Sequence, residues 1–379
     1  MPVKSTARIR VLCFLITTLL CLVTPAAASG ASPEAEVDHF IRDQMRSFGA
    51  PGLQVAVVQR NRIVFCRGYG IANVQDRVAV DNQTLFSINS ITKAFVGVAI
   101  MQLVEAGKID LEAPISRYVD DLPAEWREVR VDQLLSNTSG LPDVYDGQRE
   151  QPLAEDETDA WAKVKALPLP AKPGERFQYN QTNYVLLGRI IKKVSGKAFA
   201  DFIAERQFQV AGMSRTVFGD SRDVLLHSAG RYMHEGAKDG SKQAAKPLLN
   251  RWEEFPPWFR TATGVMSTAQ EMAQWIIALQ DGRLLKKTSS LSTLWTPALL
   301  NDGSPSPGFG GLLNGYALGW PTVTRTQHPA VAAIGGGRAA VVVYTKDDLA
   351  IIILTNLVQT DPEQWADKIA SFYLHTPIG

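Results

Sequence analysis

The sequence predicts an α/β protein in which strands from both ends of the chain form one sheet and a helical region is inserted between them. Strand patterns begin at Leu53 and return only after residue 315, whereas segments with helical periodicity fill most of residues 110–285. The chain has 379 residues, which exceeds the size at which one hydrophobic core usually stops growing. We therefore expect two packed parts in one domain spanning 29–379: a sheet part at about 35–105 and 290–375, and a helical part at about 106–289.

The first 28 residues have the pattern of a secretory signal peptide. Lys4, Arg8 and Arg10 precede the apolar run at 11–23, and small residues follow as far as Ala28, after which we expect cleavage. The run has 13 residues and is too short to span a bilayer. We expect an exported protein, periplasmic in a Gram-negative cell and extracellular otherwise, with no stable membrane anchor after cleavage.

The composition excludes several other classes of protein. The 39 basic and 38 acidic residues leave a net charge of +1, which provides no field to attract nucleic acid. Cys13 and Cys21 would leave with the signal peptide, so only Cys66 would remain and no internal disulfide is expected. Cys66 lies in a predicted strand, where we expect a small buried side chain.

The strands and helices are predicted in the following order. The runs 53–59 and 63–70 flank the polar turn R-N-R and indicate a β-hairpin. Residues 91–106 are apolar on almost every face, which indicates a helix buried inside the protein. Further helices are predicted at 131–135, 156–166, 184–194, 199–207 and 269–279, strands at 316–322, 338–344 and 349–354, and a closing helix at 361–373.

Residues 235–262 form a long connection that is first polar and then aromatic. A connection of this length without secondary structure is uncommon in a compact domain. Two interpretations stay open at this stage: a lip that faces a substrate, or a loop held in place by its own aromatic side chains.

Ser90 and Lys93 form the single S-x-x-K of the chain, at the start of the buried helix. Residues i and i+3 share a helix face, so the amine can approach the hydroxyl. An apolar setting lowers the pKa of a lysine, and a neutral amine can activate a serine nucleophile. The alternative is that Ser90 caps the helix and Lys93 is solvated.

Other catalytic arrangements find no support in the sequence. It contains no G-x-S-x-G, no H-E-x-x-H and no C-x-x-C. We therefore expect neither a metal nor a cofactor, and a small-molecule ester, amide or peptide as the binding partner.

Several blocks of the sequence, in order, resemble the serine β-lactamase-related family, which includes class C β-lactamases, D-alanyl-D-alanine carboxypeptidases, D-aminopeptidases and esterases. The blocks include T-L-F-S-I-N-S-I-T-K, Q-L-L-S-N-T-S-G-L-P-D, P-G-E-R-F-Q-Y-N-Q-T-N-Y and G-V-M-S-T-A-Q-E-M-A-Q-W. The resemblance runs from about Val37 to Phe372. It implies the β-lactamase/transpeptidase-like fold, with an antiparallel sheet flanked by helices and an inserted all-helical part.

The resemblance also implies roles for individual residues. Ser90 and Lys93 match the nucleophile and its lysine, and Tyr179 matches the tyrosine of a Y-x-N element that relays the serine proton. Gln181 stands where the family has Asn, with Asn180 beside it. The lysine or histidine of the family's third element is replaced by Ala333, while Gly335 and Gly336 retain a strand without side chains that substrate can approach. The N–H of Gly336 would be the second oxyanion donor beside that of Ser90.

These expectations favour a secreted serine hydrolase of the Ser-Lys-Tyr type that forms an acyl-enzyme. Because the cation that would hold a substrate carboxylate is absent at Ala333, we expect an esterase or amidase acting on a neutral acyl substrate, unless Arg338 compensates. One alternative is a β-lactamase or D-Ala-D-Ala carboxypeptidase acting on cell-wall peptides. Another is a catalytically degenerate relative that binds the cell wall or serves as a scaffold.

Overall fold

The computed structural model describes residues 1–3, 32–236 and 244–378. The features that predict a signal peptide, from Lys4 to Ala28, lie outside the described residues. None of the helices that are described is long and apolar enough to cross a membrane.

The helices of the described chain follow in sequence order. They are α1 (Pro33–Phe48), α2 (Thr92–Glu105), α3 (Val131–Leu135), α4 (Glu157–Lys165), α5 (Gln181–Ser195), α6 (Phe199–Ile203), α7 (Gln209–Ala211), α8 (Ala269–Gln280), α9 (Thr288–Trp295) and α10 (Glu363–Ala370).

The strands are short in the middle of the chain and longer at its ends. They are β1 (Gly52–Gln59), β2 (Arg62–Asn73), β3 (Val78–Ala79), β4 (Phe86–Asn89), β5 (Tyr145–Asp146), β6 (Gln151–Pro152), β7 (Val217–Phe218), β8 (Tyr232–His234), β9 (Leu248–Asn250), β10 (Val265–Ser267), β11 (Gly315–Tyr316), β12 (Pro321–Val323), β13 (Ala330–Gly335), β14 (Ala339–Tyr344) and β15 (Leu349–Thr355).

The main sheet joins the two ends of the chain, as predicted. Its order is β11-β12-β13-β14-β15-β1-β2-β3, and each neighbouring pair is antiparallel. β1 lies beside β15, with Leu53 opposite Thr355 and Gln59 opposite Leu349. Strands β1, β14 and β15 are almost entirely buried, which places them at the centre of the protein with layers on both faces.

Helices cover both faces of this sheet. On one face, α1 and α10 contribute Val37, Ile41 and Trp365 to an apolar cluster with the sheet. On the other face, α8 packs against β1, β2 and β15. This helix was predicted to belong to the helical part at 106–289, but it lies on the sheet because its apolar side chains pack on the sheet strands.

The inserted region was predicted to be purely helical, and this prediction was wrong. It also contains the strand pairs β5–β6 and β8–β9, and β9 lies in the connection at 235–262 that was predicted without strands. The predicted strand at 316–322 is divided into β11 and β12. It turns at Gly319, which has φ of +90° and where an added Cβ would lie 2.8 Å from the Lys93 carbonyl oxygen. Short paired segments of this kind leave no periodic pattern in the sequence.

Helix α2 has the all-round burial predicted from its composition. Twelve of its residues, from Thr92 to Leu103, are buried, and it packs against α5, α6 and α9. Gly97 permits this packing, since an added Cβ would lie 2.4 Å from the Leu318 carbonyl oxygen. A lysine in the first turn of such a helix is therefore enclosed by protein.

Candidate active site

Ser90 lies in the turn between β4 and α2. The helix begins at Thr92, one residue later than predicted, so Ser90 precedes it by two residues. The Lys93 N–H donates to the Ser90 carbonyl oxygen (3.0 Å), and the Thr92 hydroxyl donates to the Asn89 carbonyl oxygen (2.6 Å). Asn89 has φ of +44°, a left-handed conformation that asparagine tolerates better than most residues. This turn presents the Ser90 side chain to a cleft.

The Lys93 amine is buried and is surrounded by three oxygen atoms. Its Nζ lies 3.2 Å from Ser90 Oγ, 2.7 Å from Gln181 Oε1 and 2.7 Å from the Ala262 carbonyl oxygen. The side chain is only 1% exposed. The solvated Lys93 of the alternative interpretation is therefore not what the structure shows.

Burial lowers the pKa of Lys93 to about 7, although the negative charge of Asp143 opposes this shift. A neutral amine has two N–H groups and one lone pair. Gln181 Oε1 and the Ala262 carbonyl oxygen can only accept hydrogen bonds, so they take the two N–H groups. The lone pair is then directed at the Ser90 hydroxyl, which is the arrangement that a general base requires.

Tyr179 lines the cleft together with Ser90 and lies over the Lys93 amine. Lys93 Nζ is 4.8 Å from the centre of its ring, and the nearby Ser90 hydroxyl acts to lower the pKa of its phenol. Burial and the neighbouring Tyr316 hold the pKa of the Tyr179 phenol well above its usual value. The phenol is consequently protonated at neutral pH and can donate a hydrogen bond or pass a proton.

The structure distinguishes between the two amides that follow Tyr179. Asn180 is the N-cap of α5: its side-chain oxygen accepts from the Asn183 N–H (3.3 Å), and its Nδ2 donates to the Leu141 carbonyl oxygen (2.6 Å). Gln181 is the residue that contacts Lys93. The longer glutamine side chain thus reaches the lysine from the first position of the helix.

Asp143 was not identified as a site residue from the sequence, although it lies in one of the blocks that carry the resemblance. Its carboxylate accepts hydrogen bonds from the N–H groups of Gln181 and Tyr145, both at 3.1 Å. Burial raises the pKa of Asp143 to about 6, against the effect of these bonds and of the Lys93 charge. Asp143 thus supports the start of α5 and places a second titratable group near Lys93.

Strand β13 approaches Ser90 through glycine backbone, as the sequence predicted. A Cβ on Gly335 would lie 1.9 Å from the Ile88 carbonyl oxygen and 3.0 Å from the Ser90 nitrogen. Gly336 follows with φ of +58° and lines the same cleft. Within the described residues, the N–H groups of Ser90 and Gly336 donate to no protein acceptor. Ala333 is 2% exposed and packs in the core.

The cleft has a volume of about 990 Å³, with Ser90, Tyr179 and Gln181 on its lining. The aromatic half of the 235–262 connection lines it as well, through Trp252, Phe255 and Phe259. Since these side chains border the cleft, their position favours the substrate-facing lip over a loop that serves only its own packing.

The arginines at the cleft are already paired. Among the described residues that line it, Arg149 and Arg251 form ion pairs with Asp146 and Glu150. Arg338, which was considered as a substitute for the missing cation, is 1% exposed and forms an ion pair with Glu253. Its guanidinium is therefore buried in the interior of the protein and does not line the cleft.

The fold and these site contacts define a serine hydrolase-like protein of the β-lactamase type. The chain belongs to the beta-lactamase family, because the Beta-lactamase family model matches residues 37–373. This result confirms the resemblance and the fold class predicted from the sequence. Members of the family are serine hydrolases.

Individual relatives are distant. Protein flp of Staphylococcus aureus (strain N315) is 25% identical over 331 residues, which are 86% of this chain and 63% of that protein. The chain therefore spans less than two thirds of the length of this curated relative. The octameric penicillin-binding protein homologue from Pyrococcus abyssi has a TM-score of 0.76 at 22% identity, covering 90% of this chain and 77% of that one. The D-amino acid amidase from Ochrobactrum anthropi SV3, solved with L-phenylalanine amide, has a TM-score of 0.72 at 22% identity, covering 90% and 97%.

Proposed function

We propose that the protein is an exported serine hydrolase that forms an acyl-enzyme at Ser90 and acts on a neutral ester or amide. The observation that carries this proposal is the environment of Lys93, whose two fixed acceptors direct a lone pair at Ser90 Oγ. Export rests on the predicted signal peptide.

The proposed reaction has two halves. Ser90 Oγ attacks the substrate carbonyl carbon while Lys93 takes the hydroxyl proton, and the N–H groups of Ser90 and Gly336 stabilise the oxyanion. The proton passes through Tyr179 to the leaving alcohol or amine as the bond to the carbonyl carbon breaks. Water then attacks the acyl-enzyme and restores the Ser90 hydroxyl.

The preference for a neutral substrate follows from the charges at the cleft. Ala333 offers no cation, Arg338 is buried, and the arginines described at the cleft are paired with carboxylates. A substrate carboxylate would lose its hydration without gaining a cationic partner, which is unfavourable.

A fluorophosphonate probe tests the proposal on the purified protein, with Ser90→Ala as the matched variant. We expect labelling and p-nitrophenyl butyrate hydrolysis in the wild type and neither in Ser90→Ala. A chromogenic cephalosporin assayed in parallel tests the β-lactamase alternative. Faster turnover of the cephalosporin than of the ester would favour that alternative. Absence of labelling in a folded sample would contradict the hydrolase and favour the non-enzymatic relative.

A further inference from the structure

Arg338 and Glu253 form a buried ion pair directly behind the proposed oxyanion site. The Arg338 guanidinium is 1% exposed, and Glu253 is 9% exposed. Neither residue contacts Lys93 or Tyr179 in the described contacts, so the proton-transfer chemistry above does not account for them. A buried ion pair is weak support for stability, because the cost of removing both charges from water is large.

Arg338 is joined to the glycine turn that carries the second proposed oxyanion donor. It follows this turn at residues 335–337 directly, and its N–H donates to the Gly335 carbonyl oxygen (3.1 Å). Gly336 and Gly337 have φ of +58° and +59°, so the turn consists of residues with wide conformational freedom. Holding the Gly336 N–H in one direction therefore needs contacts from outside the turn.

The same guanidinium contacts the residue that precedes the nucleophile. Arg338 Nη2 donates to Asn89 Oδ1 (2.9 Å) and also to the Glu253 carboxylate. Asn89 Nδ2 donates in turn to Glu253 Oε1 (3.4 Å), and the Ser87 hydroxyl donates to Asn89 Oδ1 (2.7 Å). These bonds hold Asn89 in its left-handed conformation, which sets the direction of the Ser90 N–H.

Glu253 lies in the lip and is fixed there by two residues that precede the lip in the chain. Its N–H donates to Ser221 Oγ (3.0 Å), and its carboxylate lies 3.6 Å from Arg231 Nε. Burial acts to raise the pKa of Glu253, but the charge and hydrogen bond of Arg338 together with the charges of Arg231 and Arg251 outweigh it, and the pKa is lowered. The carboxylate is therefore ionised at neutral pH.

We propose that Arg338 and Glu253 are positioning residues that align the N–H groups of Ser90 and Gly336 by holding Asn89 and the glycine turn in one arrangement. The pair joins three separate segments: the turn before α2, the turn after β13 and the lip. This inference rests on the proposed acyl transfer, in which those N–H groups bind the oxyanion.

The test compares Arg338→Met with the wild type and with Glu253→Gln. In Arg338→Met, Glu253 keeps Arg231 as a cationic partner, whereas Glu253→Gln leaves the two buried arginines without their shared carboxylate. We expect Glu253→Gln to be destabilised and Arg338→Met to melt within a few degrees of the wild type. In Arg338→Met, kcat for p-nitrophenyl butyrate should fall about 100-fold, as when one oxyanion donor is lost, with KM changed by less than about threefold.

Hydrogen exchange provides a readout that does not depend on catalysis. We expect faster exchange in peptides covering residues 86–91 and 334–338 of Arg338→Met, and partial recovery of both exchange and kcat in Arg338→Lys. Arg325→Met serves as the control, since it breaks a half-buried ion pair with Asp367 that does not line the cleft. It should lower the melting temperature and leave labelling unchanged.

The outcomes separate the two proposals. Wild-type exchange at both peptides of Arg338→Met, or faster exchange with wild-type kcat, would overturn the positioning role. If the wild type is not labelled at Ser90, the proposed function fails. The exchange measurement then still decides whether the pair orders the two turns.

Discussion

The two halves of the candidate site differ in whether side chains or backbone groups face Ser90. On the helix side, Lys93 contacts Ser90, and the side chains of Gln181 and Tyr179 in turn contact Lys93. On the strand side, Gly335 and Gly336 present backbone only, and Ala333 contributes no polar group. Activation of the Ser90 nucleophile therefore depends on side-chain chemistry. Polarisation of the substrate carbonyl depends instead on backbone geometry, which other residues must hold in place.

The largest effect is expected from Lys93→Met, which removes the base of the helix side. The rate of fluorophosphonate labelling should fall about 1,000-fold, within the range for a general base. Burial lowers the pKa of Lys93 to about 7, below the pKa that the same amine has in the unfolded chain. At any pH below that unfolded value, including pH 7, this difference makes the amine destabilise the folded state. The melting temperature at pH 7 should therefore not fall appreciably.

An exposed lysine on α5 is the control for this experiment. Lys192→Met should leave both labelling and melting temperature unchanged. If Lys93→Met were labelled at the wild-type rate, Lys93 would not be the base. Nucleophile activation would then not depend on the side chains of the helix side.

Tyr179→Phe should have the next largest effect, because it removes the hydroxyl near Ser90 and leaves the ring. We expect kcat for ester hydrolysis to fall about 100-fold. Tyr184→Phe is the matched control: its ring also lies near Lys93, at 5.1 Å from Nζ, but its hydroxyl donates to the Leu135 carbonyl oxygen (2.8 Å). Equal losses in both variants would point to a packing effect and not to proton transfer.

Ala333→Lys would give the strand side the cation that it lacks. We expect the ratio of cephalosporin to ester turnover to rise about tenfold, at some cost in stability because the site is buried. Ala332→Lys, on the opposite face of the same strand and equally buried, is the control for that cost and should leave the ratio unchanged. An unchanged ratio in Ala333→Lys would contradict our account of substrate preference.

The smallest effect is expected from Asp143→Asn, which alters the charge near Lys93. Asp143 raises the pKa of Lys93, so its neutralisation should lower that pKa below about 7. Since the neutral amine is the base, the acid limb of the pH profile should move to lower pH. The labelling rate at pH 6 relative to pH 8 should rise about two- to threefold, as expected for the loss of one nearby charge.

The exposed carboxylate of Asp201 provides the comparison for this profile. Asp201→Asn should leave the acid limb where it is in the wild type. A shift to higher pH in Asp143→Asn would mean that Asp143 acts mainly by holding α5 in position.

Much of the fold was predictable because its elements are long and regular. The β1–β2 hairpin and the buried helix α2 have clear periodicity, and both form close to the predicted bounds. The predictions were wrong where tertiary contacts decide, as for α8, which lies on the sheet, and for the two-residue strands of the inserted region. The site residues follow the same division, since Ser90 and Lys93 are close in sequence whereas Tyr179 was identified only by resemblance.

The sequence by itself determined the pairing of Ser90 with Lys93, because the turn that leads into a helix brings residues three positions apart close together, even though the helix itself begins at Thr92. It also determined the absence of a cation at Ala333 and the bare backbone at Gly335. Only the tertiary structure decided that Gln181 and not Asn180 reaches Lys93, that the Ala262 carbonyl completes the environment of the amine, and that Arg338 is buried against Glu253. These contacts join residues 88, 169 and 85 positions apart, and no local preference of the chain specifies them.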